Sequence, residues 1–233
     1  MTPLLLIPGM MCDARLYGPQ IAALSHKLPL MTVPITTADS VEALAADLLA
    51  QAPLEFALAG LSMGGIVAME VVRQAPERVQ RLALLDSNPL AESEPVRARR
   101  EPQIEAVRNG KLREVMRDEL KPLYLADTPR RAATLALCME MALDLGASVF
   151  ERQSRALQTR PDQQETLRAV RVPTLVLMGA EDRLCPLARH QLMHELIQGS
   201  ELVVVEGAGH LPTLEQPEAV NAALRSWLNL EEA

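Results

Sequence analysis

The sequence predicts an α/β protein, a six-stranded, mostly parallel sheet with helices on both faces and a helical insertion acting as a lid. Three observations predict it. Six short apolar runs (Leu4–Ile7, Leu30–Val33, Phe56–Ala59, Leu82–Leu85, Thr174–Met178 and Leu202–Val205) are continuous where a half-exposed strand would alternate, which is the pattern of strands covered on both faces. Helix-period segments separate most of these runs, as an open sheet wound on both sides requires. From Asn88 to about Val170 the alternation stops and only helix-period segments remain.

Each element has a local reason. Pro29 and Pro34 flank the second run, so that strand belongs at a sheet edge, where a missing N–H costs least. Val41–Ala50 reads as a helix that Asp39 or Ser40 can cap, with Glu42 in its first turn. Gly65–Ala75 reads as a second helix, stopped by Pro76. The long insertion carries helix-period segments at Val96–Val107, Leu112–Leu125, Thr128–Leu145 and Ser148–Leu157. Thr128-Pro129 offers a start signal for the third, and Gly146 a stop. These boundaries divide the chain into a sheet domain, residues 1–87 and 171–233, and a helical lid, residues 88–170.

Composition narrows the function. The 233 residues are 48% apolar and 23% charged, enough to bury a core without staples and unlike a disordered chain. A net charge of −7 argues against a nucleic-acid partner, which calls for clustered positive potential. The insertion is nearly neutral, so the negative balance lies in the sheet domain. Cys12, Cys138 and Cys185 form no CxxC pair and read as reduced thiols. With no basic, extended apolar N-terminal segment and no membrane-length apolar stretch, the expected location is cytoplasmic, away from a membrane. Aromatics are only 2%, so any pocket is lined by aliphatic side chains and methionine.

The chemistry starts at Gly60-Leu61-Ser62-Met63-Gly64, a G-x-S-x-G pattern that follows one apolar run and opens a helix. A sharp strand-to-helix turn there would expose the Ser62 hydroxyl at the C-terminal end of the sheet, as a nucleophile needs. A serine hydroxyl also needs a base. His210, in Gly209-His210-Leu211-Pro212 directly after the last run, stands at the same sheet end. His190 and His194, four residues apart on a helix and without an HExxH pattern, read as a solvated face, and His26 as a surface residue. The imidazole needs a carboxylate to fix its tautomer. Asp182, after the fifth run, is preferred; Asp86, after the fourth, is the rival, and Glu181 a weaker one. No metal or cofactor is expected.

With the order Ser, Asp, His along nearly its whole length, the chain resembles the α/β-hydrolase superfamily. Gly60–Gly65 looks like its nucleophile elbow, Gly179–Pro186 like its acid loop, and Gly209-His210 with Glu215-Gln216-Pro217-Glu218 like its histidine loop. The final amphipathic helix, holding Trp227, completes the likeness. Within that superfamily it is most similar to small esterases and lactonases. The resemblance implies catalytic Ser62, Asp182 and His210, and an oxyanion hole made by the N–H groups of Met10 and Met63. Pro8-Gly9 stands where the superfamily usually has His-Gly, so the anchoring imidazole is missing although the backbone donor survives. The superfamily's first two strands are also expected to be absent. The implied substrate is a small-molecule ester. A carrier-protein methyl ester is a less favoured alternative, which Arg130, Arg131, Arg152 and Arg155 could serve; an enol-lactone, a ligand-sensing role, or lyase or perhydrolase chemistry are further ones.

Overall fold

Each apolar run forms a strand in the structure, a computed structural model that describes residues 2–230. The strands are β1 Leu4–Ile7, β2 Leu30–Thr32, β3 Phe56–Leu61, β4 Val79–Leu85, β5 Thr174–Gly179 and β6 Glu201–Val205. They lie in the order β2-β1-β3-β4-β5-β6, and every neighbouring pair is parallel, with registers such as Leu4↔Ala57, Leu58↔Leu82 and Leu177↔Val203. β2 is an edge strand, as its flanking prolines require. An all-parallel sheet collects the C-terminal ends of its strands at one edge, so every loop that follows a strand opens there.

Alternation along each strand feeds two cores. Leu5, Ile7, Phe56 and Leu58 face one side, packed with α2 (Val41–Gln51) and α3 (Met63–Gln74). Leu4, Leu6, Ala57 and Ala59 face the other, against α1 (Gly18–Leu24) and the C-terminal helix. The Ser40 hydroxyl accepts from the Ala43 N–H at 3.2 Å, which settles the cap of α2 in favour of Ser40.

Between β4 and β5 the structure holds helices only. α4 is Glu94–Arg108. The expected single helix over Leu112–Leu125 is instead a chain of short turns: α5 (Leu112–Glu114), a π-helical turn at Val115–Leu120 and a 3₁₀ turn at Lys121–Leu123. Pro122 has no amide proton to continue a helical ladder, which accounts for the break. α6 spans Arg131–Gln158 but is interrupted at Gly146 (φ 80°, ψ 177°), so the glycine stop is real. By length and apolar composition α6 could cross a membrane, yet the break leaves two pieces that each fall short of the roughly 20 residues needed. Thr128 does not cap this helix: the residue before it is Arg130, and the buried Thr128 hydroxyl has no partner. α7 (Gln164–Ala169), α8 (Leu187–Leu196), α9 (Pro212–Glu215) and α10 (Pro217–Leu228) complete the chain.

Candidate active site

Ser62 sits at the tip of β3 with φ 56° and ψ −116°, a strained setting for a residue with a side chain and worth about 1–3 kcal/mol. Its surroundings hold it there. The Ser62 N–H donates to the Leu85 carbonyl at 2.9 Å, and the Ser87 hydroxyl donates to the Ser62 carbonyl at 2.9 Å. The flanking glycines are sterically required. A Cβ on Gly60 would lie 2.2 Å from the Gly64 carbonyl oxygen, and one on Gly64 would lie 2.1 Å from that of Ile7. The turn is therefore clamped between β1 and the start of α3.

His210 and Asp182 converge on this serine. The Nε2 of His210 lies 2.8 Å from Ser62 Oγ, and its Nδ1 lies 2.8 Å from Asp182 Oδ2. The second Asp182 oxygen accepts the N–H groups of Leu184 and Cys185 at 2.8 and 3.0 Å. Burial works against the Asp182 charge, but the His210 imidazole and these amide donors outweigh it and hold the carboxyl below its usual range. Asp182 and His210 are both buried, whereas Ser62 keeps partial exposure. Hydroxyl, imidazole and carboxylate thus stand in one hydrogen-bonded series.

The rival acids are placed elsewhere. Asp86 is wholly buried at φ 44°; one oxygen accepts the Gly179 N–H at 2.9 Å and the other has no partner. Burial, reinforced by neighbouring Asp182, pushes its carboxyl well above the usual range. Glu181 is exposed. His190 departs from expectation: it is fully buried, on the stripe of α8 that also buries Met193 and leads to Ile197, while His194 alone is exposed and pairs with Ser200 at 2.9 Å. Burial lowers the His190 pKa to about 4 and keeps it neutral. Asp86, Asp182 and His190, like Asp182, Cys185 and His210, bring donor atoms within 4.8 Å of one another. Both groups depend on Asp182, whose oxygens are already committed to His210 and two amides.

The loop after β1 borders the serine. A Cβ on Gly9 would come 3.4 Å from the Ser62 Cβ, so Met10 follows directly beside that serine. The N–H groups of Met10 and Met63 have no acceptor among the described residues, and the next amide, Met11, is tied to Gln153 Oε1 at 2.8 Å. Gln153 in turn donates to the Ile35 carbonyl, fixing the loop from α6 in place of the missing histidine.

Two further groups hold His210 in place. The His210 N–H donates to the Tyr124 carbonyl at 2.7 Å, and the Tyr124 ring meets the imidazole edge-on at 5.5 Å. Buried Glu215 accepts N–H groups from Ala126, Gly209 and Leu211 at 2.7–3.1 Å, joining the 124–126 segment to the histidine loop. Burial still leaves its carboxyl above the usual range despite these amides. Glu215 followed His210 by five residues in the sequence, but nothing in the pattern marked its partners. Of the four arginines that could have served the less favoured anionic substrate, Arg131 is spent on the Leu125 and Ala126 carbonyls, Arg152 on that of Thr36, and Arg155 on Glu101; Arg130 is exposed. All three cysteines are free and buried.

A parallel sheet with a serine on a strained strand–helix turn and an imidazole–carboxylate pair beyond it defines the α/β-hydrolase class. A profile of the alpha/beta hydrolase family matches residues 4–223, and the chain belongs to that family. It is 26% identical over 197 residues to a pimeloyl-[acyl-carrier protein] methyl ester esterase of Neisseria meningitidis serogroup C, covering 81% of this chain and 75% of that protein. Among solved structures, a thermophilic esterase from Thermogutta terrifontis with malate bound superposes with a TM-score of 0.90 at 28% identity, over 98% of this chain and 90% of the other. The enol-lactonase of Burkholderia xenovorans LB400 shares the fold, with a TM-score of 0.88 at 20% identity over 98% and 91%.

Proposed function

We propose that the protein is a serine esterase that cleaves a small-molecule carboxylic ester through an acyl-enzyme, with Ser62 as nucleophile, His210 as general base and Asp182 as the carboxylate behind it. The observation that carries the reading is the pair of 2.8 Å contacts linking the three side chains. Ser62 Oγ attacks the ester carbonyl as His210 Nε2 takes its proton. The N–H groups of Met10 and Met63 receive the developing oxyanion, a role in which one donor contributes about 3 kcal/mol. His210 then protonates the departing alcohol and activates the water that releases the acid. Asp182 holds the imidazole in the tautomer that leaves Nε2 free. In this reading the helices of residues 88–170 form a lid that shapes the acyl pocket. The esterase relatives support ester chemistry. The carrier-protein substrate in the Neisseria protein's name is less favoured here, because three of the four expected arginines are engaged within the chain.

Ser62→Ala tests the proposal. The variant is expected to lose both p-nitrophenyl ester turnover, by about 10⁴-fold or more, and labelling by a fluorophosphonate probe. Full turnover by the variant overturns it.

A further inference from the structure

Beside the oxyanion loop lies a buried charge cluster that the triad does not use. Glu92 is 4% exposed, and two guanidiniums share it: Arg100, 12% exposed, and Arg160, 9% exposed. Arg100 places Nε and Nη2 on one Glu92 oxygen at 2.9 and 2.6 Å; Arg160 reaches the other at 3.0 Å. One carboxylate therefore answers two cations. The surplus shows as unused donors. Arg160 Nε is buried with no partner. Arg100 Nη1 finds no oxygen among the described residues and faces only the Met10 sulfur, at 3.9 Å. A buried cation with donors left over is costly unless an anion completes it.

The position of the cluster says which anion. Met10 carries the amide that faces the reacting carbonyl, so Arg100 Nη1 stands one side chain away from it. The charge of Arg100 is felt at the Tyr124 phenol, whose ring packs on His210, and that of Arg160 at Cys185, on the acid loop. The direct contact is with the oxyanion loop, through the Met10 sulfur. We infer that Arg100, backed by Arg160 and Glu92, binds a carboxylate on the substrate itself, making the preferred substrate the ester of a short dicarboxylic or similarly anionic acid. A guanidinium fork with a free N–H edge suits a carboxylate, and Glu92 holds it rigid without neutralising both cations. Binding energy taken from this remote group would orient the ester carbonyl over Ser62.

This inference rests on the esterase reading, and its test separates the two. Monomethyl esters of dicarboxylic acids from succinate to pimelate are compared with neutral methyl esters of the same chain length, in the wild type, Arg100→Met and Arg100→Lys. The wild type is expected to favour at least one half-ester in kcat/KM. Arg100→Met should lose about 10- to 100-fold on that half-ester while neutral esters change less than about threefold, as expected for one charge-assisted hydrogen bond. Arg100→Lys, which keeps the charge and loses the fork, should fall between. Free dicarboxylates should inhibit the wild type competitively and Arg100→Met weakly. No wild-type preference for any half-ester, or equal loss on half-esters and neutral esters in both variants, overturns the inference while leaving the esterase reading intact. Absence of hydrolysis of every ester overturns the esterase reading instead.

Discussion

Three buried carboxyl groups lie at one edge of the sheet, and their fates differ. Asp86, after β4, receives one amide and is pushed far above the usual range. Glu215, after β6, receives three amides and still sits above it. Asp182, after β5, receives two amides and the imidazole, and alone lies below it. Amide donors work against the effect of burial at Asp86 and Glu215 without overcoming it, whereas beside Asp182 the imidazole tips the balance toward the charged form. The same chemical group is thus shifted in opposite directions on neighbouring strands.

That contrast can be broken at each carboxyl, beginning with the largest effect. Asp182→Asn removes the charge behind the base and presents an amide to His210, so kcat should fall by about 10⁴-fold with the fold retained, measured by steady-state kinetics alongside circular dichroism. Glu215→Gln puts an amide nitrogen where an N–H already points. It should cost about 1–3 kcal/mol of stability in urea unfolding and lower kcat, because the loop carrying His210 loosens. Unchanged unfolding would show that the three amides do not depend on the carboxylate.

Asp86→Asn should affect activity least, because the amide keeps an acceptor for the Gly179 N–H and places its NH2 where the other carboxyl oxygen has no partner. kcat/KM should stay within about threefold, with its pH profile in place, because the upward shift of Asp86 favours the neutral form that the amide copies. Stability should respond instead. Asp86 ionises at about pH 4 in the unfolded chain but at a higher pH in the native protein, so between those two points the native state binds the extra proton and stability falls as pH rises. The melting temperature of Asp86→Asn should therefore gain on the wild type as pH rises from about 4, by about 2–4 °C per kcal/mol relieved. A loss of activity comparable to that of Asp182→Asn would mean that Asp86 carries charge in the working enzyme.

The sheet was legible because strands covered on both faces leave unbroken apolar runs, and the proposed triad because each member directly follows such a run. Ser62 had a local pattern as well. The helical segment was harder to read, for physical reasons. Helical period persisted through 112–125 although Pro122 breaks the ladder, and Thr128 looked like a cap although the chain turns past it. His190 and His194 share a spacing but not an environment, since α8 buries only one of its faces. The Arg100–Glu92–Arg160 cluster joins residues far apart in the chain, and no local pattern announces such a pairing. Of the four arginines marked by sequence, the fold ties down Arg131, Arg152 and Arg155 and leaves Arg130 exposed.

The bond from the His210 amide to the Tyr124 carbonyl, and the carboxyl of Glu215 beside it, tie the histidine loop to residues 124–126 of the helical segment. The orientation of the imidazole is therefore a property shared by two distant stretches of chain, and a substitution that shifts residues 124–126 reaches His210 through both links at once.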